Sequence, residues 1–439
     1  MNNFQTILVA IFLAFFVVGV LIFSGLIDLD SGPGPDNISG KVVVWGTFPD
    51  SFVSTAIGMV DNNDLNINYV KKNASTYQQD LIEAFANGNG PDLFIISPDM
   101  IKRNDNFVYK IPYGTLPKES FRNLYIDGAD IYLDKEGIIG FPIVVDPIVL
   151  YYNKDILANE GIVSPPKSWD ELFVLNSALT KRESVGSGVL KQSMIALGQY
   201  TNVNNAKDII ATLLLQNSNP IVKRGEGGEG SEGYVSMLNS NVLKSSVSPI
   251  EAVLEFFISF SSPSDTSYSW NRSLPNSLDM FTSGKLAFYL GYSSELFNIE
   301  SINPNLSFNV TEIPQIKNST TKRTFGEIYA IAVNKKSGNL TSALGVANLL
   351  SEGEVAKEVS ISSSLPPVSR TLLSDKPTDD NYLFTFFNSA LISRSWLDPD
   401  KVKTKELFGS LIENILSNKL SMGEAINKAQ GQFELLLRK

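Results

Sequence analysis

Carboxylates and aromatic rings are the chemistry this sequence offers. It has no cysteine and no histidine. That removes disulfides, thiolate nucleophiles, Ser–His and Cys–His pairs, and the usual zinc and non-haem iron ligands. What remains is Asp and Glu, beside 26 Phe, 15 Tyr and 4 Trp. Two carboxylates across a cleft, one of them held protonated, suit glycoside hydrolysis. Carboxylates beside aromatic platforms suit binding of a sugar without chemistry, because sugars present apolar ring faces and hydroxyl edges. Asp146 is the leading candidate: it interrupts the apolar run PIVVDPI, where a carboxylate needs a reason to be buried. A ligand hydroxyl and a hinge backbone are its two possible partners. Trp45 closes the β-branched run KVVVW, and strand ends border the cleft of an open α/β sheet; a core position is the competing reading. No motif calls for a metal or a cofactor. The formal net charge of -10, with no basic stripe, excludes nucleic acid as a partner.

The elements that must position these residues read as α/β. Residues 7–27, ILVAIFLAFFVVGVLIFSGLI, carry no charge over 21 positions, which reaches ~30 Å as a helix, enough to cross a bilayer core. Residues 1–30 are therefore expected to form a transmembrane anchor, with a cleaved signal peptide as the alternative, and 31–40 a breaker-rich linker. The N-terminus is expected inside and the body outside. Buried strands are expected over 41–48 and 90–97, with a helix at 75–87 between them, a parallel βαβ unit. The segment 137–157 reads as two extended pieces bent around Val145–Pro147. Helices open at Ser168 and Ser248, strands follow at 285–292 and 327–333, and the last third is helical. The low-complexity GEGGEGSEG lacks the ending of a phosphate loop and reads as an exposed hairpin tip.

Several of these segments, in order, resemble the extracellular solute-binding proteins of ABC importers, the group typified by maltose-binding protein. KVVVWGTF resembles its opening strand, and NGNGPDLFIISPDMI its second. GFPIVVDPIVLYYNKDIL with PPKSWDEL resembles the crossover between lobes. FTSGKLAFYLGYSSEL and TFGEIYAIAVNKKS resemble the return, and NLTSALGVANLLSEGEVAKEVS the C-terminal helices. The resemblance spans about residues 41–437. It implies a two-lobed, type II periplasmic-binding-protein-like fold, lobe 1 comprising 41–145 and 284–330 and lobe 2 comprising 146–283 and 331–439. It implies a non-catalytic protein that holds a small molecule, a sugar by preference, between the lobes for ABC permease subunits. A membrane-bound sensor or adhesion module without a transporter, and a carboxylate-based glycosidase, are the rival readings.

The resemblance also implies cleft residues. Asp50 follows the first strand where relatives place ligand-contacting polar groups, and Asp99 matches a cleft acid. Asp146 matches a polar position that hydrogen-bonds sugar hydroxyls. Tyr200, Trp270 and Trp396 are candidate second-lobe aromatics. Tyr292 falls where relatives stack a ring on the ligand, and Glu327 opens a strand opposite it. The adjacent Tyr151 and Tyr152 resemble the phenolate pair of ferric-ion-binding relatives, but strand alternation buries one of the two rings, so no metal site is assigned.

Overall fold

The computed structural model describes residues 38–60, 62–184, 189–225, 233–241 and 247–438. The expected anchor, most of the linker and the hairpin tip lie outside the described residues. Among the described residues, no helix is long and apolar enough to cross a membrane.

The strands, in chain order, are β1 (Gly40–Gly46), β2 (Leu65–Lys71), β3 (Leu93–Ile96), β4 (Phe141–Asn153), β5 (Lys181–Arg182) and β6 (Leu190–Ile195). There follow β7 (Val222–Arg224), β8 (Tyr234–Ser236), β9 (Leu286–Tyr292), β10 (Phe308–Thr311), β11 (Thr324–Val333) and β12 (Ser393–Arg394). The main sheet runs β2-β1-β3-β11-β4-β9-β6-β5, with β10 also on β4 and β12 on β11. β1 pairs in parallel with β2 and β3, and the helix Tyr77–Ala86 lies between β2 and β3 in sequence. This helix buries Tyr77, Leu81 and Phe85, the apolar stripe visible in the sequence.

β4 and β11 make the junction of the two lobes. β4 is a single strand of 13 residues with Tyr152 its one residue not fully buried, rather than two bent pieces. It changes partners at the expected bend. Residues up to Pro147 pair with β11, and those from Ile148 onward pair with β9. The missing N–H of Pro147 thus falls where one ladder ends and the next begins. Gly326 permits the close approach of β11: a Cβ there would lie 2.7 Å from Ser393 Oγ and 2.8 Å from Val145 Cγ2.

Two apolar cores follow from this layout, as expected for some 400 residues. One holds Ile38 to Val145, Ile328 to Leu373, and Ala390 and Leu397. The other holds Ile148 to Phe325 and Phe386 to Leu437, except those two residues. The expected lobe limits are therefore corrected. Residues 286–325 belong to lobe 2, because β9 pairs with the second half of β4 and with β6. The return to lobe 1 is β11 itself, which pairs with β3 along Ala330–Val333, and the helices that follow it pack there. The helix Asn381–Leu391 carries the chain back, with Phe386 in one core and Ala390 in the other.

Candidate functional site

At the lobe junction four elements meet around one small cavity. Lobe 1 contributes Pro98 and Asp99, on the single turn after β3; β11 contributes Phe325 and Glu327. Lobe 2 contributes Lys207 and Asp208 from the start of the helix Ala206–Gln216, and Trp396, Asp398 and Lys401 from the approach to the helix Lys401–Leu416. Helix N-termini favour negative charge, and both here carry acids: Asp208 in the first turn, Asp400 as an N-cap accepting the Lys403 N–H at 3.1 Å.

Each of the two lysines in this cavity is paired with one of its four carboxylates. The Lys207 ammonium donates to Asp398 at 2.7 Å, both side chains 8 % exposed, and Thr404 Oγ1 donates to the same carboxylate at 2.9 Å. Lys401 donates to both oxygens of Glu327, at 2.9 and 2.8 Å. Asp99 accepts from Ser97 Oγ at 2.5 Å. Glu327 stands opposite Asp146 in the β11–β4 register. Asp146 in turn accepts from Ser293 Oγ at 2.8 Å and from the Ser294 N–H at 3.0 Å.

Burial decides how these acids titrate. It pushes Glu327 up to about 7, with Asp99 and Asp208 adding to the rise and Lys401 opposing it. It pushes Asp146 up to about 6 against the hydrogen bonds from Ser293 and Ser294. Asp398 is raised by burial too, with Lys207 and Thr404 opposing.

Three of the residues singled out in the sequence, Asp99, Glu327 and Trp396, line the cavity together. Tyr292 stands beside it, its ring 6.4 Å edge-on from Phe325, and its phenol interacts with Asp208. Asp146 lies beside Glu327 on the neighbouring strand, held by the two serines. The other candidates sit apart. Trp45 is half-buried at the end of β1, with the Lys72 ammonium 3.5 Å from its ring centroid. Asp50 is exposed at the first position of the helix Asp50–Gly58. Tyr200 packs on Gly409 and donates to the Lys405 carbonyl at 2.7 Å. Trp270 is fully buried in the core of lobe 2, its indole N–H satisfied by Asn202 Oδ1 at 3.1 Å, so the expected cleft aromatic is a packing residue. Tyr151 is also buried there, donating to the Tyr292 carbonyl at 2.7 Å, while Tyr152 is part-exposed on the other face of β4; the two phenols do not converge.

Sequence reasoning missed Lys207, Asp208, Asp398 and Lys401. One signal was present. The helix AKDIIATLLLQ is buried along its whole length, and its charged residues fall only in its first turn, where a helix end can bring them to a polar site.

A far more spacious cavity, about 650 Å³, lies elsewhere, lined by Leu296, Phe297, Ile361, Phe386 and Phe387 together with the charged Glu300, Lys357 and Asp375. The cavity at the junction is far smaller, about 20 Å³, but most of its lining is charged, whereas the larger one is mainly apolar.

The whole fold is shared with solved binding proteins. A cyclo/maltodextrin-binding protein complexed with maltotetraose superposes with a TM-score of 0.70 at 16% identity, over 92% of this chain and 98% of that one. The sugar-binding protein MalE of Xanthomonas citri gives 0.70 at 16% identity, over 91% and 98%. The GacH receptor of Streptomyces glaucescens, solved unliganded and with acarbose, gives 0.63 at 18% identity, over 92% and 99%. Residues 59–352 match the bacterial extracellular solute-binding proteins, and with that match across both lobes and the junction, the chain belongs to that family.

Proposed function

We propose that this solute-binding protein captures a carbohydrate between its lobes and delivers it to the membrane subunits of an ABC importer. The observation that carries the proposal is the junction cavity, where Asp99 and Glu327 meet Trp396 across the two lobes. Carboxylates accept hydrogen bonds from sugar hydroxyls, the lysines donate to them, and indole and phenyl faces cover the apolar ring. Structural neighbours solved with maltotetraose and with acarbose support the same ligand class. The family is one of binding proteins rather than enzymes, and nothing in the proposed role needs a reaction.

At about 20 Å³ the cavity has room for about one water molecule and none for a pyranose. Ligand uptake therefore requires the lobes to part. Three connections cross the junction: β4 at Pro147–Ile148, β11 between Phe325 and Ile328, and the segment from Phe386 to Leu397. Rotation about such connections is hinge closure. Across the opposite lobes, Arg224 pairs with Asp134 at 2.6 Å, and Lys102 donates to the Leu437 carbonyl at 2.6 Å. These contacts favour the closed form. The family's extracytoplasmic setting suits the apolar segment 7–27 as a tether holding the body outside the membrane.

A thermal-shift screen of residues 36–439 against mono- and oligosaccharides, polyamines, amino acids and metal ions tests the reading. A ligand of the folded state alone adds about 2.7 kcal/mol at a hundredfold excess over its dissociation constant. The expected result is a saturable shift with one saccharide class. A shift confined to non-carbohydrate solutes contradicts the ligand class.

A further inference from the structure

The junction cavity holds more acid than base. Asp99, Asp208, Glu327 and Asp398 line it, against only Lys207 and Lys401. Lys207 sits 2.7 Å from Asp398 and reaches Asp208 only at 3.9 Å. Lys401 is held by both oxygens of Glu327. Asp208 takes the Tyr292 phenol. Asp99 takes the Ser97 hydroxyl at 2.5 Å and makes no ion pair among the described residues.

The cations just outside the lining are engaged elsewhere. Arg103 and Lys403 pair with Asp400. A neighbouring cavity of about 370 Å³ shares Trp396 as a wall and has Arg224, Arg323 and Arg394 in its lining. These donate to Asp134, to the Leu215 carbonyl and to Asp127, respectively. Asp146, beside Glu327, adds a further acid rather than a base. The positive end of the helix that carries Asp208 offsets part of that charge, which leaves Asp99 the least compensated of the four.

Asp99 and Asp208 belong to opposite lobes, yet both act on the same ion pair. Burial pushes the Glu327 carboxyl up, and both acids add to the rise. Burial pushes Lys401 down, but Glu327, Asp99 and Asp208 together hold it above its ordinary value. The two acids therefore converge on one point from either side of the cleft. A cation there relieves their repulsion and gains charge-assisted hydrogen bonds. The closed cavity, at about 20 Å³, admits one water-sized group, and an ammonium group is of that size.

Building on the carbohydrate reading above, we propose that the solute is an amino sugar whose ammonium group is held between Asp99 and Asp208. The ammonium donates to both carboxylates, while the ring hydroxyls meet Glu327 and Lys401 and the ring face lies against Trp396. Because the two acids come from opposite lobes, the charge of the ligand draws the lobes together around it.

The test is calorimetric titration of the full chain with glucosamine and its β-1,4-linked dimer, with their neutral counterparts glucose and cellobiose, and with putrescine. An amino sugar binding at least tenfold more tightly than its neutral counterpart, with that advantage lost in Asp99→Asn and in Asp208→Asn, supports the proposal. Asp99 is only part-buried, so its variant keeps the test alive if Asp208→Asn fails to fold. Neutral sugars binding as tightly as amino sugars overturn the ammonium site and leave the carbohydrate reading standing, as does an advantage that both variants retain. Putrescine binding alone, lost in both variants, overturns the amino sugar and the carbohydrate reading together. No binding of any of the amines overturns the proposal.

Discussion

The two cavities at the lobe junction share Trp396 and differ in how their charges are matched. In the smaller one every lysine has a carboxylate: Lys207 with Asp398, Lys401 with Glu327. Beside the larger one, two guanidinium nitrogens are buried without an acceptor among the described residues. The difference separates two uses of buried charge. A matched pair is part of the folded structure, and removing one member leaves the other stranded in a low dielectric. An unmatched buried donor carries a desolvation cost that nothing offsets, and removing it costs the fold little.

The largest effect expected is at the matched pair. Asp398→Ala leaves the buried Lys207 with only Asp208, at 3.9 Å, and a loss of about 3–5 kcal/mol is expected in urea denaturation. The double variant Lys207→Met/Asp398→Leu recovers most of that loss. If the single variant is as stable as the wild type, the pairing has no structural weight and the contrast collapses. Next in size is Asp99→Ala. It removes a charged hydrogen-bond acceptor from the cleft, and saccharide affinity falls by about 1.5–3 kcal/mol with little change in melting temperature.

The third prediction concerns pH. Glu327 rises from 4.5 unfolded to about 7 folded, so between those values the folded state binds more protons than the unfolded one. Its contribution to stability is fully present below about 4.5 and lost as pH rises towards 7. Asp146 acts in the same sense between 3.8 and about 6. Melting temperature should therefore gain from these two groups on acidification across that window, and Glu327→Gln should flatten the gain. An equal gain in wild type and variant removes Glu327 as its source. The smallest effect is at the unmatched side: Arg323→Met changes stability by under about 1 kcal/mol, and a larger loss would show that its guanidinium is structural.

Much of the architecture was legible because it is periodic. The β-branched runs at β1, β3 and β11 and the apolar stripe Tyr77, Leu81, Phe85 are local signals, and they appear where expected. The lobe limits were not legible, because β9 reads as a buried strand whichever lobe it joins. Only its pairing with the second half of β4 assigns it. Glu327 could be placed near the start of a strand, whereas Asp99 and Trp396 were placed by the resemblance to the solute-binding family. Trp270 and Trp396 look alike in sequence, but one is sealed in a core and the other faces a cavity, a difference made by packing. Lys207 and Asp398 are 191 positions apart, and each reads alone as an ordinary surface charge. Their meeting depends on two helix starts brought together by the fold.

The central claim is that saccharide binds in the junction cavity, and calorimetric titration of wild type and Asp99→Ala with the saccharide identified by thermal shift tests it most directly. The account predicts one saturable site in the wild type and an affinity at least tenfold weaker in Asp99→Ala. An affinity unchanged by that substitution, or no heat with any saccharide, would contradict it.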